Sequence, residues 1–332
     1  DWLVHDVPCR AGVYRTADGR GLVLSNGLIR RTFRVTPNAA TVGLDNLVSG
    51  ESLLRGVKPE AVLVLDGQRI EVGGLKGQPN YAFLLDEWMD TLESPPDAMQ
   101  FTGFEVGKPH ERILWKRVRH HTPEAVWPPA GVSLAMHYVM PDTASASLRG
   151  IRATVHYELY DGIPLFCKWL TVQNGGDAPV MLDHFTSEIL VAVEYSSDVE
   201  DREGAARPPN LHVETDYAFL AMSAMNAGRH AIRWLPDPDY ETQVNYERRN
   251  PCLLEVGPDM GPAEAIAPGG TFTSFYTFVL SFDGYDRERN GLAQRRMYRT
   301  VAPWATENPL MMHVRFSDPK TVRNAIDQCA AA

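Results

Sequence analysis

Ile151, Ala153, Val155, Tyr157 and Leu159 alternate with Arg152, Thr154, His156, Glu158 and Tyr160. A ten-residue run of this period puts its apolar set on one face of a strand and its polar set on the other. That is the pattern of an antiparallel sheet packed on one side. Val132, Leu134, Met136 and Tyr138 repeat it, as do Phe272, Tyr276, Phe278, Leu280 and Phe282, interrupted by Ser274. Leu165 to Val172 and Val180 to Val193 read as longer apolar strands. Earlier runs (Gly21 to Leu24, Leu28 to Val35, Ala40 to Leu47) are punctuated by Ser25-Asn26-Gly27 and Thr36-Pro37-Asn38. Asp66-Gly67 separates Ala61 to Leu65 from Arg69 to Val72, a second hairpin signal. Short strands joined by turns mean a sandwich or barrel. Their extent, 1–282, predicts one large two-sheet antiparallel domain.

Near Asp283 the pattern changes. Asp286 to Val301 holds no Pro, and Ala293, Met297 and Val301 fall at i, i+4 and i+8, which predicts a helix with one apolar stripe. The Arg-rich stretch Arg287 to Arg299 then reads as its solvated face. Residues 283–309 form a linker. After it Leu310 to Phe316 reads as a short strand. Ser317-Asp318-Pro319 supplies an N-cap and a first-turn Pro for a helix carrying Val322, Ile326 and Cys329. A lone strand–helix unit in 310–332 cannot close a core, so it docks on the sandwich or begins a parallel α/β domain. The second is the expectation.

With 42 acidic and 32 basic residues the net charge is -10, which disfavours a nucleic-acid partner. No apolar run approaches the roughly 20 residues of a membrane span. Cys9, Cys167, Cys252 and Cys329 have no zinc-type spacing, and Cys167 reads as a buried thiol. A start at Asp1 without Met fits a cleaved signal peptide or a trimmed chain; the first favours a secreted or periplasmic location.

Several phrases resemble a known family: Tyr157-Glu158-Leu159-Tyr160-Asp161-Gly162-Ile163-Pro164-Leu165, Lys168 to Asn174, Asn290-Gly291-Leu292-Ala293, Arg295 to Arg299, and Ala302-Pro303-Trp304-Ala305-Thr306-Glu307-Asn308-Pro309. Their layout is similar to the amino-terminal β-supersandwich of α-galactosidase-like glycoside hydrolases, family 36 and clan D, with the entry into the (β/α)8 barrel. The resemblance implies a retaining enzyme acting on α-linked sugars without a cofactor. It implies that this domain buttresses the barrel of the same polypeptide, shapes the pocket for a carbohydrate substrate, and forms homo-oligomer contacts. In that family the nucleophile is the Asp of a Lys-x-Asp motif. None of Lys58, Lys76, Lys108, Lys116, Lys168 and Lys320 is followed by Asp two residues on, so no catalytic residue is expected in this chain.

Asp86-Glu87-Trp88-Met89-Asp90 is the strongest sugar-contact candidate: an indole can stack on a pyranose while carboxylates accept its hydroxyls. The competing reading tucks Trp88 into the core. Trp127, before Pro128 and Pro129, is a second contact candidate; Trp304 reads as interdomain packing. His120 and His121 point to opposite faces of a strand and do not share a metal. Asp237, Asp239 and Glu241 have oxygen-ligand spacing but lack the Gly of an EF-hand turn. No metal site is expected. Two rival readings are a stand-alone carbohydrate-binding or adhesion sandwich, and a mutarotase-like sandwich using His137 or His156 with Glu158.

Overall fold

A computed structural model describes residues 1–5, 7–116, 126–194, 199, 208–217, 228–307, 312–315 and 318–331. The chain opens with β1 (Gly12–Arg15), β2 (Gly21–Ser25), β3 (Ile29–Arg34), β4 (Ala40–Asn46) and β5 (Glu51–Ser52), paired in that order as one sheet. It continues through β6 (Leu54–Gly56), β7 (Ala61–Leu65), β8 (Gln68–Val72), a 3-10 turn over Asp86–Thr91, β9 (Gln100–Gly107), β10 (Gly131–Val139), β11 (Ile151–Tyr160) and β12 (Leu165–Asn174). Then come β13 (Val180–Thr186), β14 (Glu188–Ala192), β15 (Leu211–Thr215), β16 (Ile232–Pro236), β17 (Pro251–Val256), β18 (Pro262–Ile266), β19 (Thr271–Thr273) and β20 (Thr277–Ser281). Helices α1 (Arg287–Val301), α2 (Pro303–Glu307) and α3 (Pro319–Ala331) follow.

The protein is mainly β, and the described ladders are antiparallel. The strands group into four sheets rather than the two expected. The largest runs β15-β20-β12-β11-β10-β9, with β19 also on β12. Two four-stranded sheets run β18-β13-β7-β8 and β16-β17-β14-β6. All four sheets contribute to one apolar core, including Leu22, Phe33, Leu63, Val155, Leu170, Leu190 and Leu254. Sharing that core makes them a sandwich.

The extra division has a local cause. Val180 to Val193 is not one strand. At Ser187 both the backbone N–H and the hydroxyl donate to the Val256 carbonyl. The chain there leaves β7 and β18 and takes β17 and β6 as partners. Hydrophobicity alone does not show such an exchange, because both halves remain buried.

The reading of 272–282 as one alternating face is also corrected. Phe272 lies in the sandwich core, whereas Tyr276, Phe278, Leu280 and Phe282 join a second cluster on the other side of the sheet. Between β19 and β20 the buried Ser274 hydroxyl accepts from Leu170 N at 2.9 Å, and the irregular step reverses the phase.

That second cluster receives α1. Asp286 caps the helix, its carboxylate accepting from Arg289 N at 2.7 Å. Ala293, Met297 and Val301 are buried against Tyr160, Leu165, Cys167, Phe278 and Leu280, as the stripe predicts. Cys167 is a buried free thiol, its pKa pushed up by burial. The α1 helix therefore covers one end of the outer face of the large sheet and leaves the other end open.

Asp318 caps α3, accepting from Thr321 N at 2.9 Å. None of the described residues of α3 is buried. Residues 312–315 form no strand; 310, 311 and 316 lie outside the described residues. A lone strand has no ladder to satisfy its backbone groups, and residues 312–315 pair with no described strand.

Candidate functional site

The Asp86–Thr91 turn presents an aromatic platform. Phe83 lies over Trp88 with ring centroids 5.7 Å apart and 27° between planes, and Tyr81 meets both rings at 5.8 Å. Trp88 is half-buried, with its other contacts on the cluster of Ala40, Val57, Leu75, Met89 and Leu92. The indole backs the platform, while Phe83 (50% exposed) and Tyr81 (41%) offer the outer surfaces. Asp86 and Glu87 are exposed beside it. Asp90 is tied down by Arg34 at 2.7 Å and Arg20 at 2.8 Å.

Trp127 is elsewhere and is engaged in packing. Its Nε1 donates to Ile113 O at 2.9 Å, its edge meets Trp304 at 5.0 Å, and the Arg112 guanidinium lies 4.8 Å above its ring. Arg112 also donates to Val301 O, a carbonyl at the C-terminus of α1. The Trp127–Trp304 pair joins the loop before β10 to α2.

His120 and His121 lie outside the described residues. Asp237 is buried and paired with Arg55 at 2.6 Å, while Asp239 pairs with Lys58 at 2.5 Å. Two carboxylates of the acidic run are thus taken by the protein's own cations.

The outer face of the large sheet carries the polar half of the β11 alternation. Cross-strand register aligns His137, Thr154, Thr171 and Thr273 in one row, and His156 beside Trp169 in the next. His156 stacks on Trp169 at 4.7 Å and 4°, and its Nε2 meets Thr171 Oγ1 at 3.0 Å. Burial, with His110 and His137 nearby, holds the His156 ring down to about 4. It is therefore neutral across the physiological range.

Glu158 is 2% exposed and accepts from His110 N (2.8 Å), His110 Nδ1 (2.7 Å) and Tyr160 OH (2.8 Å). With Nδ1–H given to the carboxylate, His110 Nε2 is left to accept from Tyr276 OH at 2.8 Å. The result is a carboxylate–imidazole–phenol chain, with Tyr276 pushed up to about 12 chiefly by burial. The sequence pointed to His137, His156 and Glu158 on this face. His110 and Tyr276 were missed. They lie 48 residues before Glu158 and 166 after His110, so no local pattern ties them to it.

No family model and no curated protein matches the sequence. Among solved structures, the chain is similar to the α-galactosidase from Lactobacillus brevis (7% identity over 90% of this chain and 42% of that one, TM-score 0.40). It is also similar to the GH36 α-galactosidase AgaB from Geobacillus stearothermophilus (9%, 82% and 41%, TM-score 0.39). A third is a galactose mutarotase-like protein from Clostridium acetobutylicum (7%, 83% and 99%, TM-score 0.37). The chain spans about two fifths of the two α-galactosidases it matches. The family named from the sequence phrases is thus among the structural neighbours, as is the mutarotase-like sandwich.

Proposed function

We propose that the chain serves as the amino-terminal portion of a glycoside hydrolase acting on α-linked sugars, galactosides first. In this reading the sandwich supports a (β/α)8 barrel of the same polypeptide, for which α3 is the first helix, and the barrel supplies the two carboxylates that glycoside cleavage needs. The observation that carries the reading is α3. It is an amphipathic helix, capped and 13 residues long, that buries nothing against the sandwich. An apolar helix face gains stability only against a partner, so its packing surface is sought in the barrel.

The platform of Tyr81, Phe83 and Trp88 gives the domain its part in substrate binding: a sugar ring lies on the exposed aromatic faces, and Asp86 and Glu87 accept its hydroxyls. The test is steady-state hydrolysis of nitrophenyl α-galactoside by the polypeptide that carries the barrel. Losing a stacking contact of about 1 kcal/mol, Phe83→Ala raises KM roughly 5-fold and leaves kcat unchanged. Trp88→Ala raises KM similarly and, because its indole packs on Met89 and Leu92, also lowers Tm by an equivalent of about 2–4 kcal/mol. A normal KM in Phe83→Ala overturns the platform's role.

A further inference from the structure

Residues 77–85, which carry Tyr81 and Phe83, belong to no strand or helix. Aromatic rings on such a segment keep their place only where side chains tie the chain down. Two ties bracket the platform. At its far end Asp90 meets Arg34 at 2.7 Å and Arg20 at 2.8 Å, with the Asp90 side chain 63% exposed. Ion pairs so open to water hold little and are screened by salt.

At its near end the tie is Arg55, in the middle of β6 and closed to solvent. Its guanidinium gathers three separate stretches of chain. Nε donates to Ala192 O at 3.1 Å, at the end of β14. Nη1 donates to Asn80 Oδ1, directly before Tyr81. Nη2 donates to Asp237 Oδ2 at 2.6 Å and to Cys252 Sγ at 3.2 Å. The Tyr240 ring centre lies 3.8 Å from the guanidinium carbon. Asn80 is fixed by more than this one bond: its Nδ2 donates to Asp237 Oδ2 at 3.3 Å, and its carbonyl accepts from Thr242 Oγ1 at 3.5 Å. Gln78 Oε1 accepts from Val57 N at 2.9 Å, which binds the same approach to the residue after β6. A buried charge is tolerated only while its partners stay in place, so this tie is stiff where the Asp90 tie is not. It also calls for arginine in particular. A planar fork reaches three acceptors on three segments at once, whereas an ammonium acts as a point charge.

We propose that Arg55 is the positioning residue of the aromatic platform, acting through Asn80 to set Tyr81 and Phe83 where a sugar ring meets them. This rests on the reading of the platform as a substrate contact. The loop that begins at Asp237 is held by the same guanidinium, so it keeps a fixed place beside the platform.

The test pairs nitrophenyl α-galactoside kinetics, on the polypeptide that carries the barrel, with amide hydrogen exchange on residues 1–332. Asn80→Ala, which leaves the Arg55–Asp237 pair in place, and Arg55→Lys are each expected to raise KM toward the roughly 5-fold of Phe83→Ala, with kcat unchanged. Amides of 78–85 are expected to exchange faster in both variants while those of β11 keep the parent rates, a readout that needs no sugar. In the double variant KM is expected to match that of Arg55→Lys alone, because both changes cut one connection. Multiplying effects in the double variant would mean two independent losses and would overturn the proposal. A normal KM in both single variants, where Phe83→Ala raises it, also overturns the proposal and leaves the platform standing. If Arg55→Lys folds poorly, Asn80→Ala decides alone: a raised KM with the parent melting curve supports the role, and a normal KM ends it. A normal KM in Phe83→Ala removes the platform and this role with it.

Discussion

His156 is a weak base because of where its strand puts it. The ring lies flat on Trp169, and burial disfavours the imidazolium, so the folded protein resists protonation until about pH 4. An unfolded chain takes up that proton near the ordinary histidine value of about 6.5. The unfolded state therefore binds more protons below that value, and stability falls as pH falls. The contribution is complete above about pH 6.5 and is lost progressively toward pH 4, with a limiting slope of about 1.4 kcal/mol per pH unit. Urea denaturation of His156→Gln over this window is expected to show a shallower pH slope than the parent. An unchanged slope would mean that His156 titrates in the folded protein as it does in water. Glu188 shows the opposite balance. Burial alone would raise its pKa, but Arg31 at 2.6 Å and Lys168 at 2.7 Å outweigh it and hold the carboxyl down to about 2.

At the scale of elements, legibility follows locality. The β11 alternation, the Asp66-Gly67 turn and the Asp318 cap could be read because each depends on residues within a few positions of one another. Asp66 and Gly67 both take positive φ, 48° and 74°, as a tight hairpin requires. The exchange at Ser187 and the reversal before β20 could not be read, since both depend on which distant strand offers the next ladder. The Glu158–His110–Tyr276 chain was hidden for the same reason. The α1 stripe provides the sharpest element-level test. Met297→Asp places a charge where the side chain is 1% exposed, among Leu165, Cys167 and Phe278. It is expected to cost several kcal/mol, about 3 or more, as judged by urea denaturation. Leu292→Asp, on the half-exposed side of the same helix, is expected to change stability by less than about 0.5 kcal/mol. Equal effects would show that α1 does not dock on the sheet through this stripe.

At the scale of the whole molecule, the sandwich closes around a core that includes a buried ionic cluster. Arg31 and Lys168 pair with Glu60 and Glu188, and Thr41 and Tyr157 add hydrogen bonds to Glu60. Two cations against two anions leave the cluster neutral, which is the condition under which buried charges are tolerated. These groups come from β3, β4, β11, β12, β14 and the approach to β7, so the cluster fixes how the sheets face one another. The sandwich closes its own apolar core, whereas none of the described residues of α3 is buried. That contrast is the centre of the functional reading, and hydrolysis of nitrophenyl α-galactoside tests it most directly, with residues 1–332 and the polypeptide that carries the barrel assayed side by side. The expected result is turnover by the longer polypeptide and none by residues 1–332. Turnover by residues 1–332 that survives repurification and is abolished by a single substitution within them would contradict the account, as would an inactive longer polypeptide.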